Sequence, residues 1–288
     1  MRKILHRVSG FKIGTTLVLL LLVAIWSTPT VGLLITSLRS KDSASETGWW
    51  TAIADPLNTA WTLEPYINAI EGGMLDALLN TLIVTIPATV LPLIIAANAA
   101  YAFTFIQFKG REIYFASLVA LMVLPLQSAL FPVLKGFVWF KDVTGIQLIG
   151  NFPAAWIVHS AFALPLAIYI LRNFMLTIPP SLLEAARVDG ASYYQIFWKL
   201  VLPMSIPAIA SFAIFQFLWV WNDYLIAFIF VGEQKPVMTW QLLRLLGQYG
   251  GGWQDVAAGS FLSLIVPLIV FFALQRYFVR GLTAGAVK

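Results

Sequence analysis

Six long apolar runs separated by short polar stretches organise this 288-residue chain, at about 14–38, 76–105, 113–134, 153–175, 204–231 and 256–279. Each reaches the roughly 20 residues that a helix needs to cross the hydrocarbon core of a bilayer. Backbone polar groups in lipid must pair within their own segment, so the pattern predicts six transmembrane helices rather than strands. The first run is too long for a cleaved signal peptide and no small-residue cleavage site follows it, so it is read as a retained span. The expected organisation is a terminal segment 1–13, a first span 14–38, a long loop 39–75, a core 76–279 holding the other five spans and a charged link at 176–203, and a tail 280–288.

Composition agrees: 60% of residues are apolar and only 11% charged, and the mean hydropathy is +0.84, far outside the range of soluble globular chains. Charge then orients the spans. With the N-terminus in the cytoplasm, twelve of the eighteen basic residues fall inside, against three inside acids, Glu112, Glu184 and Asp189. The outer segments hold six basic and nine acidic residues. This asymmetry predicts both termini in the cytoplasm. Together with anionic lipid it accounts for the net charge of +5 without nucleic acid.

The loops differ in character. Trp49, Trp50 and Trp61 in 39–75 suit an aromatic belt at the membrane interface. The run Gly247-Gln248-Tyr249-Gly250-Gly251-Gly252-Trp253 is either a solvent turn or a flexible loop that probes a partner. The inner link 106–112 reads as a basic turn and nothing more.

The inner link 176–203 carries more. Pro179-Pro180 ends the preceding helix, and Ser181 with Glu184 three residues on has the form of a capping box. Gly190 suits a left-handed break, and Ala191 to Leu200 predicts a second short helix ended at Pro203. Ala185 and Ala186 leave a flat face for another surface, with Tyr193, Tyr194, Phe197 and Trp198 at the membrane boundary. Glu184 and Arg187, three apart, also suit a simple pair along the helix.

Polar groups inside the spans are costly and face a cavity or a neighbouring helix. Gln216, Trp219, Asn222 and Asp223 fall within roughly 120° of arc on one helix. Gln127, His159 and Asn80 reach similar depths. Amides, a carboxylate and an indole face suit a neutral polyol; hydrogen bonding between helices is the competing reading, the stronger one for Asn80 and His159.

Other chemistry is missing. There is no cysteine, so no disulfide or thiolate metal site. The two histidines, His6 and His159, have no metal-ligand spacing. Neither a G-x-x-x-x-G-K-[ST] phosphate loop nor a G-x-S-x-G elbow occurs, so the chain is expected not to be an enzyme and to bind no cofactor itself.

Glu184-Ala185-Ala186, Gly190 four residues later and Leu202-Pro203 resemble the EAA loop of bacterial ABC importer permeases, with Leu200 where the family usually has isoleucine. Asn80-Thr81-Leu82, Tyr101-Ala102-Phe103, Pro125 with Gln127, Leu164-Pro165, Ile178-Pro179, Trp221-Asn222-Asp223-Tyr224, Gln275 to Gly281 and Thr283 to Lys288 extend the likeness over nearly the whole chain. Together they are similar to the carbohydrate-uptake, maltose-type branch with six spans. The resemblance implies an all-α, polytopic membrane protein with the type I ABC importer permease fold (MetI-like). It implies a second permease subunit, two ATPase subunits that hold ATP and Mg, and an extracytoplasmic sugar-binding protein as partners. It places Glu184, Ala185, Ala186, Asp189 and Gly190 against the ATPase, and the Thr283–Lys288 tail near the ATPase pair. The loop with Gln248, Tyr249, Gly250 and Gly251 would meet the binding protein. Gln127, Gln216, Trp219, Asn222 and Asp223 are the candidate sugar pathway, in a bacterial inner membrane. Trp49-Trp50-Thr51-Ala52 slightly resembles α-glucoside-type members. Two other classes stay open: an ion-coupled secondary transporter using Asp223, and a membrane subunit that only assembles others.

Overall fold

The computed structural model describes residues 2–246 and 251–284, with side chains for 13–246 and 251–275. The helices are α1 (Arg2–Ser37), α2 (Lys41–Glu46), α3 (Trp49–Ala54), α4 (Glu64–Ala69), α5 (Leu75–Phe105), α6 (Arg111–Leu121), α7 (Leu126–Thr144), α8 (Phe152–Met175), α9 (Pro180–Val188), α10 (Tyr193–Ile196), α11 (Leu202–Trp221), α12 (Met238–Leu245) and α13 (Trp253–Ala284). No strand occurs among the described residues, which carry one isolated bridge between Arg39 and Trp61. Five helical segments are long and apolar enough to cross a membrane, and six if α6 and α7 count as one broken span.

The chain divides into two compact units. The first comprises Met1–Met74 and Leu242–Ser263. In it α1 presents a nearly bare apolar surface, with only 6% of its most apolar window buried. Arg39, 1% exposed, staples the turn after α1 through its guanidinium, donating to Ser43 and to Thr47. The expected aromatic belt is only partly realised: Trp50 and Trp61 are exposed, but Trp49 lies against α1, where a Cβ on Gly32 would stand 2.8 Å from its Nε1.

The second unit, Leu75–Gln241 and Leu264–Lys288, has its core where α5, α8 and α11 meet. One cluster is built on Ala96, Ala100, Ala167, Leu171, Met175, Ile196 and Phe197, the other on Val84, Ala88, Ala154, Val158, Ile226 and Phe230. Alanines at the crossing points let the backbones approach closely, the packing that replaces the hydrophobic effect between helices in lipid. Proline sets the polar contacts. A proline has no N–H for the carbonyl four residues back, so Pro87 frees Ile83 O and Pro92 frees Ala88 O. Trp156 Nε1 of α8 donates to Ile83 O at 2.8 Å, and Gln216 Nε2 of α11 donates to Ala88 O at 3.1 Å. Both neighbours of α5 are thus keyed to its two proline gaps. Replacing Gln216 by Leu should leave Ala88 O buried and unpaired, at about 1–3 kcal/mol, read as a lower midpoint in thermal unfolding of the detergent-purified protein.

Two expected helices differ. The run at 113–134 is not one straight span: α6 and α7 meet at 107° across the break before Leu126, where Pro125 adopts an extended ψ of 128° that a helix does not continue through. The helix expected to stop at Pro203 does not. Tyr193–Trp221 runs on as 29 helical residues, because a π turn at Phe197–Val201 precedes the proline and Leu202 N–H donates to Phe197 O five residues back. The wider turn takes up the residue whose ring would clash in a regular ladder. The link 106–112 is also more than a basic turn: Glu112 lies 3.0 Å from Arg111 and 3.6 Å from Arg172, whose guanidinium stands 4.0 Å from the centre of the Phe115 ring.

Candidate functional site

The charged link folds as two short helices about a glycine. Ser181 does not cap α9; Pro179 holds the N-cap position and Ser181 lies inside the helix, where its hydroxyl has no cap bond. The capping box falls at α10 instead. Gln195 N–H donates to Ser192 Oγ at 3.3 Å, and Ser192 N–H donates to Gln195 Oε1 at 2.8 Å. Both motifs have the required polar residues three apart, but Pro180 fixes the first turn of α9 and leaves Ser181 two positions past the N-cap. Replacing Ser192 by Ala should cost about 1 kcal/mol, read in thermal unfolding; Ser181→Ala should be silent there.

Between the two, Gly190 sits at φ +76°. Ala191 N–H donates to Ala186 O at 2.9 Å and Gly190 N–H to Arg187 O at 3.0 Å, a Schellman closure of α9. Leu183, 3% exposed, anchors α9 in the cluster that also holds Ile196, Phe197 and Val201. Phe197 is therefore core rather than membrane boundary, while Tyr193, Tyr194 and Trp198 are exposed. Tyr101 Oη of α5 donates to Tyr193 O at 3.0 Å, so α5 is tied directly to α10.

The unit leaves an open surface hollow lined by Ala185, Ala186, Asp189, Gly190, Gln195 and Lys199 among others. Glu184 is exposed on α9 outside that lining. It makes no ion pair among the described residues. The expected pairing with Arg187 does not form; that guanidinium stands 5.6 Å from the centre of the Tyr193 ring.

The polar residues of the spans separate. Gln216 is buried and bonded to α5, whereas Trp219 is 63% exposed. Both line a small pocket with His159, Phe162, Phe212 and Phe215 between α8 and α11. Asn222 and Asp223 do not continue their face, because α11 ends at Trp221 and Asn222 caps it. Asn222 Nδ2 donates back to Leu218 O at 2.8 Å. Asp223 Oδ2 accepts from Ala227 N–H at 3.0 Å, capping the helical segment 225–231, and its own carbonyl accepts from Thr239 Oγ1 at 2.8 Å. Gln127 stands apart, exposed in the first turn of α7. Asn80 does hold elements together, donating to Pro236 O at 3.0 Å. His159 lies against Asp223, its Nε2 3.6 Å from Oδ2. Sequence reasoning set it aside as interhelical; its depth alongside Asp223 was the available signal. Gln248, Tyr249, Gly250 and tail residues 285–288 lie outside the described residues; Gly251 is exposed.

Residues 88–284 match the family described as binding-protein-dependent transport system inner membrane component. The chain is 47% identical to the osmoprotective compounds uptake permease protein GgtD of Synechocystis sp., over 96% of this chain and 92% of that protein. It is 38% identical to the alpha-glucoside transport system permease protein AglG of Rhizobium meliloti, over 93% and 95%. Among solved structures it superposes on a chain of a bacterial ABC transporter involved in the import of the acidic polysaccharide alginate. The TM-score there is 0.74 at 21% identity, covering 93% of this chain and 96% of that one. Two helices closed by a left-handed glycine, set into the inner core of a multi-span membrane bundle, agree with that match: the chain belongs to the family of inner membrane components of binding-protein-dependent transport systems.

Proposed function

We propose that this chain is the permease subunit of an ATP-driven importer that carries a neutral sugar, most closely an α-glucoside, by alternating access. The observation that carries the reading is the α9–Gly190–α10 unit. It is a rigidly closed, core-anchored knob with an open small-residue hollow, on a chain that has no phosphate loop of its own. Such a knob transmits an outside motion into α5 and α11 rather than performing chemistry.

In this reading two ATPase subunits, holding ATP and Mg, dock on the α9–α10 unit here and on its counterpart in a second permease subunit. Their closure moves both knobs together and opens the pathway outward, where an extracytoplasmic binding protein delivers sugar. Reset after hydrolysis opens it inward. Both termini face the cytoplasm in this reading, which the charge asymmetry supports. The names of the GgtD and AglG proteins support osmoprotective compounds and α-glucosides as cargo. The aromatic pocket with Gln216 and Trp219 suits one face of a pyranose ring.

The test is uptake by the complete transporter in proteoliposomes with its binding protein. Trehalose, sucrose or maltose should accumulate with internal ATP, and a uronate oligosaccharide should not. Uptake of the uronate alone would overturn the neutral-sugar assignment.

A further inference from the structure

Asp223 and His159 stand together in a contact with each other that the transport reading does not use. Among the described residues, no other lysine, arginine or histidine nitrogen lies within 4.0 Å of Asp223. His159 is 2% exposed, and its Nε2 has no hydrogen-bond partner. A buried imidazole nitrogen without a partner costs the desolvation of that group. Here it is aimed at a carboxylate just beyond hydrogen-bonding distance, and a shift of under 1 Å would complete the bond.

The place of the pair gives it leverage. Asp223 sits where α11 stops, and its side chain caps the next helical segment through Ala227 N–H. That segment is packed in the core by Ile226 and Phe230 against Ala154 and Val158 of α8. His159 stands on α8 one position beyond Val158. Closing the gap would add a hydrogen bond between α8 and the break after α11, and opening it would remove that tie. The aromatic pocket between the same two helices has His159 in its wall. We propose that His159 is a positioning residue that acts through Asp223. The pair is a latch that holds α8 against the break after α11 in the resting permease and is released when the transporter is driven. The inference rests on the ATP-driven reading above.

A latch of this kind keeps the unloaded transporter idle, so loosening it should uncouple hydrolysis from cargo. In the complete transporter, His159→Gln should raise hydrolysis measured without binding protein or sugar at least threefold. The ratio of the rate with binding protein and trehalose to the idle rate should fall at least threefold. The reciprocal double exchange, His159→Asp with Asp223→His, should restore the low idle rate. A merely structural loss lowers both rates together.

A metal clamp tests the same contact without relying on a lost side chain. In Asp223→His two imidazole nitrogens would face each other. Zn²⁺ holds such nitrogens at about 2.0–2.1 Å each, so roughly 3.3–3.4 Å apart in tetrahedral geometry, close to the present 3.6 Å gap. Micromolar Zn²⁺ should then cut the stimulated rate at least tenfold, reversibly with chelator, and leave wild type and His159→Gln with Asp223→His untouched. An unchanged idle rate in His159→Gln, or equal Zn²⁺ response with and without His159, would overturn the latch alone. A wild-type complex with no stimulation by binding protein and sugar would overturn the ATP-driven reading and the latch with it.

Discussion

Glu184→Lys should abolish energised uptake while leaving the permease folded in the membrane. Glu184 is exposed and makes no ion pair among the described residues, so nothing in the fold resists the change. Glu and Lys also have nearly equal helix propensity. A partner cleft that receives a carboxylate would instead meet an ammonium group. Losing one member of a buried, hydrogen-bonded charge pair costs about 2–5 kcal/mol. At about 1.4 kcal/mol per tenfold, docking weakens by roughly thirtyfold or more. The measurement is the amount of ATPase retained on affinity-purified permease, alongside uptake. Normal retention and uptake would remove Glu184 from the docking surface.

Gly190→Val should act on the same surface by another route. Nothing lies within 4 Å of a Cβ built at Gly190, so space is not the obstacle. The backbone is, because φ is +76°. A β-branched residue held in the left-handed region costs about 1–2 kcal/mol or more. Relief comes by breaking the bonds from Ala191 to Ala186 and from Gly190 to Arg187 that fix α9 against α10. ATPase retention and uptake should fall about tenfold in Gly190→Val. Gly190→Asn, which tolerates this conformation, should keep most of both. Equal loss in the two variants would mean that side-chain bulk, not backbone geometry, is read by the partner.

What the sequence revealed follows from which interactions are local. Six apolar runs are legible in the hydropathy pattern, and the structure has five helical segments long and apolar enough to span, or six if α6 and α7 count as one. Gly190 was legible because a left-handed turn has a residue signature. The two capping motifs were not separable by spacing, and Pro180 decided between Ser181 and Ser192. Pro203 misled because a π turn upstream absorbs it, and π turns have no pattern in one sequence. The face drawn through Gln216, Trp219, Asn222 and Asp223 assumed an unbroken helix, and α11 ends before its last two members. Gln216 was readable as polar and buried, but its partner was not. That partner is a carbonyl freed by a proline 124 residues earlier in the chain, Pro92.

In the proposed function, transport through this chain is powered by ATP hydrolysed on partner subunits docked at α9 and α10. The direct measurement is sugar accumulation in proteoliposomes containing the complete transporter and its binding protein, with ATP inside and a protonophore present. Accumulation should be unaffected by the protonophore and should cease when the ATPase subunits are omitted. Accumulation driven by an imposed proton gradient in the absence of those subunits would contradict the proposed function.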